Sequence, residues 1–150
     1  MKIQTAHFGE IEYDTEKRIF FAEGLPGLEE DTEFALLSQE ESEPICWMQS
    51  LIRPQICLPV LNPFLVCPTY TFEIPDSEAE SLRIAEPRDV CILNVLVIPR
   101  ENPEAMTINL SAPIVFNMKN RQGRQIFLND KKYSTRIPVG DLIAKAKAVE

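Results

Sequence analysis

The residues of this chain able to do chemistry are mostly carboxylates, and they are unevenly placed. Twelve Asp and Glu lie between Glu10 and Glu43, with "LEEDTE" at the centre and Lys17 and Arg18 the only bases among them. Glu10 and Glu12, two apart on a strand, would share a face and suit acid and base work, as in a small carboxylate-dependent hydrolase or isomerase. With 23 acidic residues in the chain, such pairs also arise by coincidence. An imidazole-assisted nucleophile would need His7, the only histidine, and "AHFGE" reads as a half-buried strand position. Cys46, Cys57, Cys67 and Cys91 each sit in an apolar run without a C-x-x-C pair, the pattern of reduced, buried thiols in a cytosolic protein. No phosphate-cradling glycine loop, H-E-x-x-H or G-x-S-x-G occurs. The expectation is a protein that is not an enzyme and has no metal or cofactor.

What remains is binding, and charge divides the chain for it. Residues 1 to 110 carry 20 acids against 7 bases, a balance of −13, while residues 111 to 150 carry 3 against 8, or +5, which together give the net −8. A field of that sign repels nucleic acid and steers a basic protein inward. Glu29, Glu30, Asp31 and Glu33 are the candidate contacts. In the opposite sense, "KNRQGR" at 119–124 offers Lys119, Arg121 and Arg124 to phosphate, an RNA-binding alternative weakened by the lack of interleaved aromatics. The same stretch reads as a solvated hairpin turn at Gln122-Gly123 or as a protein-docking loop. Trp47 is either an interface anchor or a core residue, with Gln49 on its side of the strand. Asn109, Asn117 and Gln125 carry amides that suit either an added peptide backbone or their own turns.

The elements that must position these groups are strands. "RIFFA", "EFALLS", "ICWMQS", "ICLPV", "FLVC", "VCILNVLVI", "MTINL", "PIVFNM" and "RQIFL" are nine short apolar runs bounded by Pro, Gly, Asn and Asp, the mark of an all-β fold. "VCILNVLVI" at 90–98 should be central and covered on both faces, with Asn94 a buried amide in need of a partner. Pro59 assigns "ICLPV" to an edge or a bulge. One short helix is expected near 76–85, capped by Asp76 or Ser77 with a Ser77 to Glu80 capping box, and presenting Ala79 and Leu82 to the sheet. "GLPGLEED" should reverse the chain tightly, with Gly24 and Gly27 free to take positive φ. After a β domain at 1–138, residues 139–150 form a tail, helical from an Asp141 cap or frayed. The start of the chain has no basic residues followed by an apolar segment, and no run reaches membrane-spanning length, so a soluble, cytoplasmic protein is expected.

Several stretches, in order from residue 1 to about 138, carry a family likeness: "FGEIEYD" (8–14), "FAEGLPGLEE" (21–30), "CWMQSL" (46–51), Pro63-Phe64 with Pro68, "FEIPD" (72–76), "NLSAPIVFN" (109–117), "GRQ" (123–125) and "YSTRIP" (133–138). In these the chain resembles the flagellar assembly factor FliW family. Leu28, where the family often has phenylalanine, and Cys57 with Pro59 depart from its pattern. The resemblance implies an antiparallel β-barrel-like fold and a protein without chemistry. It implies two partners, the RNA-binding translational repressor CsrA and flagellin. Flagellin that accumulates in the cytoplasm would occupy the protein and free CsrA to repress flagellin translation, and export would reverse this. It implies no direct nucleic acid, membrane or small-molecule partner.

Overall fold

The computed structural model describes residues 1–149, with side chains to Lys145. Eleven strands and two helices follow in chain order: β1 (Lys2–Thr5), β2 (Gly9–Glu12), β3 (Ile19–Phe20), β4 (Glu33–Ser38), β5 (Cys46–Ser50), β6 (Cys57–Leu61), α1 (Asp76–Ser81), β7 (Val90–Val97), β8 (Thr107–Ile108), β9 (Ile114–Asn117), β10 (Gly123–Gln125), β11 (Ile137–Pro138) and α2 (Val139–Val149). Strands β1 and β2 form a separate hairpin. The main sheet runs β10-β9-β7-β6-β5-β4-β3, with β8 pairing β7 and β11 pairing β8. All of these ladders are antiparallel.

The expected barrel is not closed. The path ends on β10 at one side and β3 at the other, and no ladder joins the two. A single parallel bridge, Phe20 to Gln122, links the ends, with the Phe20 N–H donating to the Arg121 carbonyl at 2.8 Å. The physical reason is length: β3 has two residues, and beyond Phe20 the chain turns away into the 21–31 reversal. Gly24 (φ +70°) and Gly27 (φ +83°) take the left-handed conformation expected of them, and a Cβ on Gly24 would lie 2.4 Å from the Glu29 Cα.

Alternation along β7 explains the layering. Leu93 is buried in a first core inside the curved sheet, with Ile19, Phe21, Phe34, Met48 and Phe116, and Cys91 and Val95 pack there too. Val90 and Ile92 point to the other face, where Leu82, Val115 and Ile126 form a smaller core. Leu96 joins a third core with Leu61, Tyr70, Ile108, Leu110 and Tyr133, against which Val139 and Leu142 of α2 dock. The strand is therefore central and covered on both faces, as its composition requires. Asn94 is fully buried, and its amide donates to the Asn109 carbonyl at 2.8 Å and the Tyr70 hydroxyl at 3.3 Å.

Other local expectations need correction. "FLVC" is no strand: Asn62 accepts the Phe64 N–H and Pro63 starts a 3-10 turn at Pro63–Leu65. Pro59 sits in an internal strand, tolerated because β6 pairs with β7 only at Val60 and Leu61, just past the proline. Helix α1 is capped at Pro75 without a side-chain bond and stops at Leu82, since Arg83 takes φ +54° and the Ile84 N–H closes back on the Ala79 carbonyl. His7 is exposed in the turn between β1 and β2. The positive φ of the 119–124 connector falls on Arg121 (+62°), while Gly123 opens β10, where a Cβ would meet the Phe21 ring at 2.8 Å. Among the described residues no helix is long and apolar enough to cross a membrane.

Candidate functional site

Where the sheet fails to close, it leaves a cleft of about 410 Å³. One wall is the reversal after β3, with Ala22, Glu23, Gly24, Pro26 and Glu29. The other is α1 and its end, with Glu78, Ser81 and Leu82. Gln122 to Gln125 and Phe127 form the floor. The "GLPGLEE" and "GRQ" stretches, about 100 residues apart in sequence, thus face each other.

Arg124 crosses this cleft. Its guanidinium reaches Glu23 at 2.5 Å, donates to the Ser81 hydroxyl at 3.0 Å, and lies 2.9 Å from Glu78 Oε2 without an aligned hydrogen bond to it. Three carboxylates, Glu23, Glu29 and Glu78, line the cleft with that one cation. Glu29 is exposed and accepts the Gly27 N–H at 3.1 Å, and bonds from the backbone hold its carboxyl below the usual carboxylate range. Glu30 is exposed.

The remaining acidic candidates lie apart from the cleft and are paired. Asp31 is completely buried, receives the Ser50 hydroxyl at 2.6 Å and pairs with Arg53, which together hold its carboxyl below the usual range. Glu33 is half-buried on Arg18 at 2.9 Å. Trp47 is half-buried on the face opposite Met48, edge-to-face with Phe8 of the β1–β2 turn at 5.7 Å, and donates to the Ser42 hydroxyl at 3.0 Å. Gln49 is buried and donates to the Ser50 and Pro54 carbonyls.

The three amides near the connector are engaged inside the fold. Asn109 accepts the Ser111 and Ala112 N–H groups, Asn117 donates to the Leu82 and Arg83 carbonyls, and Gln125 donates to the Ala112 carbonyl. Its bases are engaged too. Lys119 lies 3.5 Å from Asp89, and Arg121 donates to the Lys17 and Arg18 carbonyls while its guanidinium covers the Phe116 ring. With Arg124 in the cleft, each cation that the sequence offers to phosphate already has a partner within the chain, Lys119 the loosest of them with its side chain 70% exposed.

The arrangement carries no sign of nucleophilic chemistry. Burial pushes the Cys57 thiol up to about 11 and raises those of Cys46 and Cys91, so these are protonated and unreactive at neutral pH. All four cysteines are free, and half-buried where full burial was expected. Among the described residues no three His, Cys, Asp or Glu side chains converge as metal ligands would.

Glu78, Ser81 and Phe127 were absent from the sequence-based candidates. For Phe127 the available signal was the unbroken apolar run Ile126-Phe127-Leu128, which departs from the alternation of a half-buried strand; Ile126 is buried and Phe127 exposed.

Comparison with known proteins places the whole chain. The family model described as "FliW protein" matches residues 2–139. The flagellar assembly factor FliW of Pseudothermotoga lettingae is 39% identical over 147 residues, covering 98% of this chain and 94% of that protein. That of Caldanaerobacter subterraneus subsp. tengcongensis is 39% identical over 140 residues, 93% of each. A crystal structure of the flagellar assembly factor FliW superposes with a TM-score of 0.85 at 33% identity, covering 93% of this chain and 96% of that one.

Proposed function

We propose a function that proceeds from one premise: the chain belongs to the FliW family. It is a flagellar assembly factor that acts by binding proteins and transforms no substrate. In the cytoplasm it binds the RNA-binding repressor CsrA and flagellin, so that the flagellin level sets how much CsrA is free to repress flagellin translation.

The observation that supports this best is the family match over residues 2–139. The charge distribution agrees with it. A repressor that grips RNA must present basic surface, and a docked acidic partner weakens that grip within about a Debye length, roughly 8 Å at physiological salt. Glu29 and Glu30 supply such a field because both are exposed, whereas Asp31 and Glu33 are neutralised by Arg53 and Arg18. Asn109, Asn117, Gln125, Trp47 and Gln49 act in this reading by shaping the surface. Engagement of Lys119, Arg121 and Arg124 inside the fold weighs against the RNA-binding alternative.

Titration calorimetry with purified CsrA and flagellin tests the reading. Both should bind, and flagellin should weaken CsrA binding by the same factor by which CsrA weakens flagellin binding. Changing Glu29→Gln and Glu30→Gln together should reduce the loss of CsrA–RNA affinity caused by the protein. Independent binding of the two proteins would exclude a shared or coupled site, and unchanged antagonism would remove the electrostatic account.

A further inference from the structure

We propose that the open seam is a strand-addition site, where an extended segment of a partner protein pairs with the free edge of β10 and places a lysine or arginine in the cleft. The inference rests on the protein-binding reading above.

Hydrogen bonds fix which backbone groups are free. The Asn117 N–H donates to the Gln122 carbonyl and the Ile126 N–H to the Pro113 carbonyl, both at 2.9 Å, so residues 122 and 126 turn towards the β9 side. By the alternation of a strand, Gly123 and Gln125 turn their N–H and C=O groups the other way. The parallel Phe20–Gln122 bridge takes the first of these groups, with the Gly123 N–H paired to the Phe20 carbonyl, and beyond it no strand lies against β10, so the Gly123 C=O and the Gln125 N–H and C=O are left open. Proteins usually guard such an edge with a charged side chain, a bulge or a proline. Here the one charge at the edge, Arg124, is folded aside onto Glu23 and Ser81.

The cleft supplies the chemistry for one kind of occupant. Glu23, Glu29 and Glu78 outnumber Arg124 by two charges. Glu78 Oε2 is shut off from water and its one cationic neighbour, the Arg124 Nε at 2.9 Å, is not aligned to donate to it, so an incoming cation would share this carboxylate with Arg124. Phe127, 66% exposed and two residues beyond Gln125, offers an apolar contact to another side chain of the added strand. Main-chain bonds would give such a complex its affinity, and these side-chain contacts its specificity.

Hydrogen exchange on the intact chain, alone and saturated with flagellin or with CsrA, reads the edge directly. The Gln125 amide should exchange quickly in the free protein and at least about tenfold more slowly with one of the two bound. Gln125→Pro removes an outward N–H that β9 does not use, a change that edge strands tolerate, and Gln125→Ala beside it accounts for the lost side-chain bond to the Ala112 carbonyl. The proline variant should keep its fold and lose at least about tenfold in affinity for the same protein. A Gln125 amide that stays fast with either protein bound, or a folded Gln125→Pro that binds both proteins as the parent does, overturns the edge and leaves the protein-binding reading standing. Binding of neither protein overturns both.

Discussion

Two arginine–carboxylate clusters lie on the 21–31 reversal, and they differ in what surrounds them. At its end, Asp31 is sealed from solvent on Arg53 and Ser50. At its start, Glu23 is 77% exposed and meets Arg124 in an open cleft shared with Glu78. The chemistry is the same, but burial sets its use. In the sealed corner a lost partner strands a charge that water cannot reach, so the pair is structural. In the open seam water screens the Glu23 carboxylate, so its pair with Arg124 holds little energy and its groups are available to a partner.

The largest test of that contrast is Asp31→Ala. Removing one member of a buried pair costs roughly 3 to 5 kcal/mol. The low end, about 3 kcal/mol, applies here because the side chain of Arg53 is 36% exposed and can rehydrate. For a chain of this size that is a fall in Tm of about 6 to 12 °C, measurable by calorimetry. A fall of only a degree or two would show that the corner is no more structural than the seam.

Acid sharpens the same point with a smaller effect. Arg53 and Ser50 hold the folded pKa of Asp31 below its ordinary 3.8, so the unfolded chain takes up its proton first as pH falls. The stability this group contributes is therefore complete above about pH 4 to 5 and is lost as pH drops through the folded value. Asp31→Asn should lower Tm at neutral pH and flatten the acid limb, so that its melting curve converges on the parent's in strong acid. Parallel limbs in the two proteins would show that Asp31 is not the group responsible.

How much of this could be read beforehand depends on whether a feature is local. Gly24 and Gly27 announce their turn because only a residue without Cβ takes positive φ cheaply, and both do. The apolar run of β7 announces a central strand, and Asn94 within it a buried amide. Neither Asp31 nor Glu23 announces its fate. Both stand in one acidic run, and the run alone does not show that Arg53 lies 22 residues on from one or Arg124 101 residues on from the other. Period-2 patterning assigns a face to a residue but not the neighbour across the sheet. For the same reason the connector 119–124 reads as a phosphate-binding loop, a solvated turn or a docking loop, when Arg121 donates to the Lys17 and Arg18 carbonyls and Arg124 to Ser81 of α1. Barrel closure was equally out of reach, since it hangs on a two-residue strand and one bridge.

The smallest effect on stability, and the one that separates the two clusters most cleanly, belongs to Arg124→Ala. Its side chain is 28% exposed and Glu23 is 77% exposed, so that pair is screened, and with the half-buried Glu78 the loss should cost about 1 to 2 kcal/mol. The same change leaves Glu23 and Glu78 without their cation, which makes the cleft one charge more negative. Association with a basic partner should then speed up at low ionic strength, and the gain should vanish as salt is added, because steering is a screened, long-range effect. Stopped-flow binding across a salt series, beside a thermal melt, reads both quantities from one protein. A loss of stability as large as that of Asp31→Ala would make the seam a structural corner like the other. Slower association at low salt would mean that Arg124 itself, rather than the carboxylates around it, greets the partner.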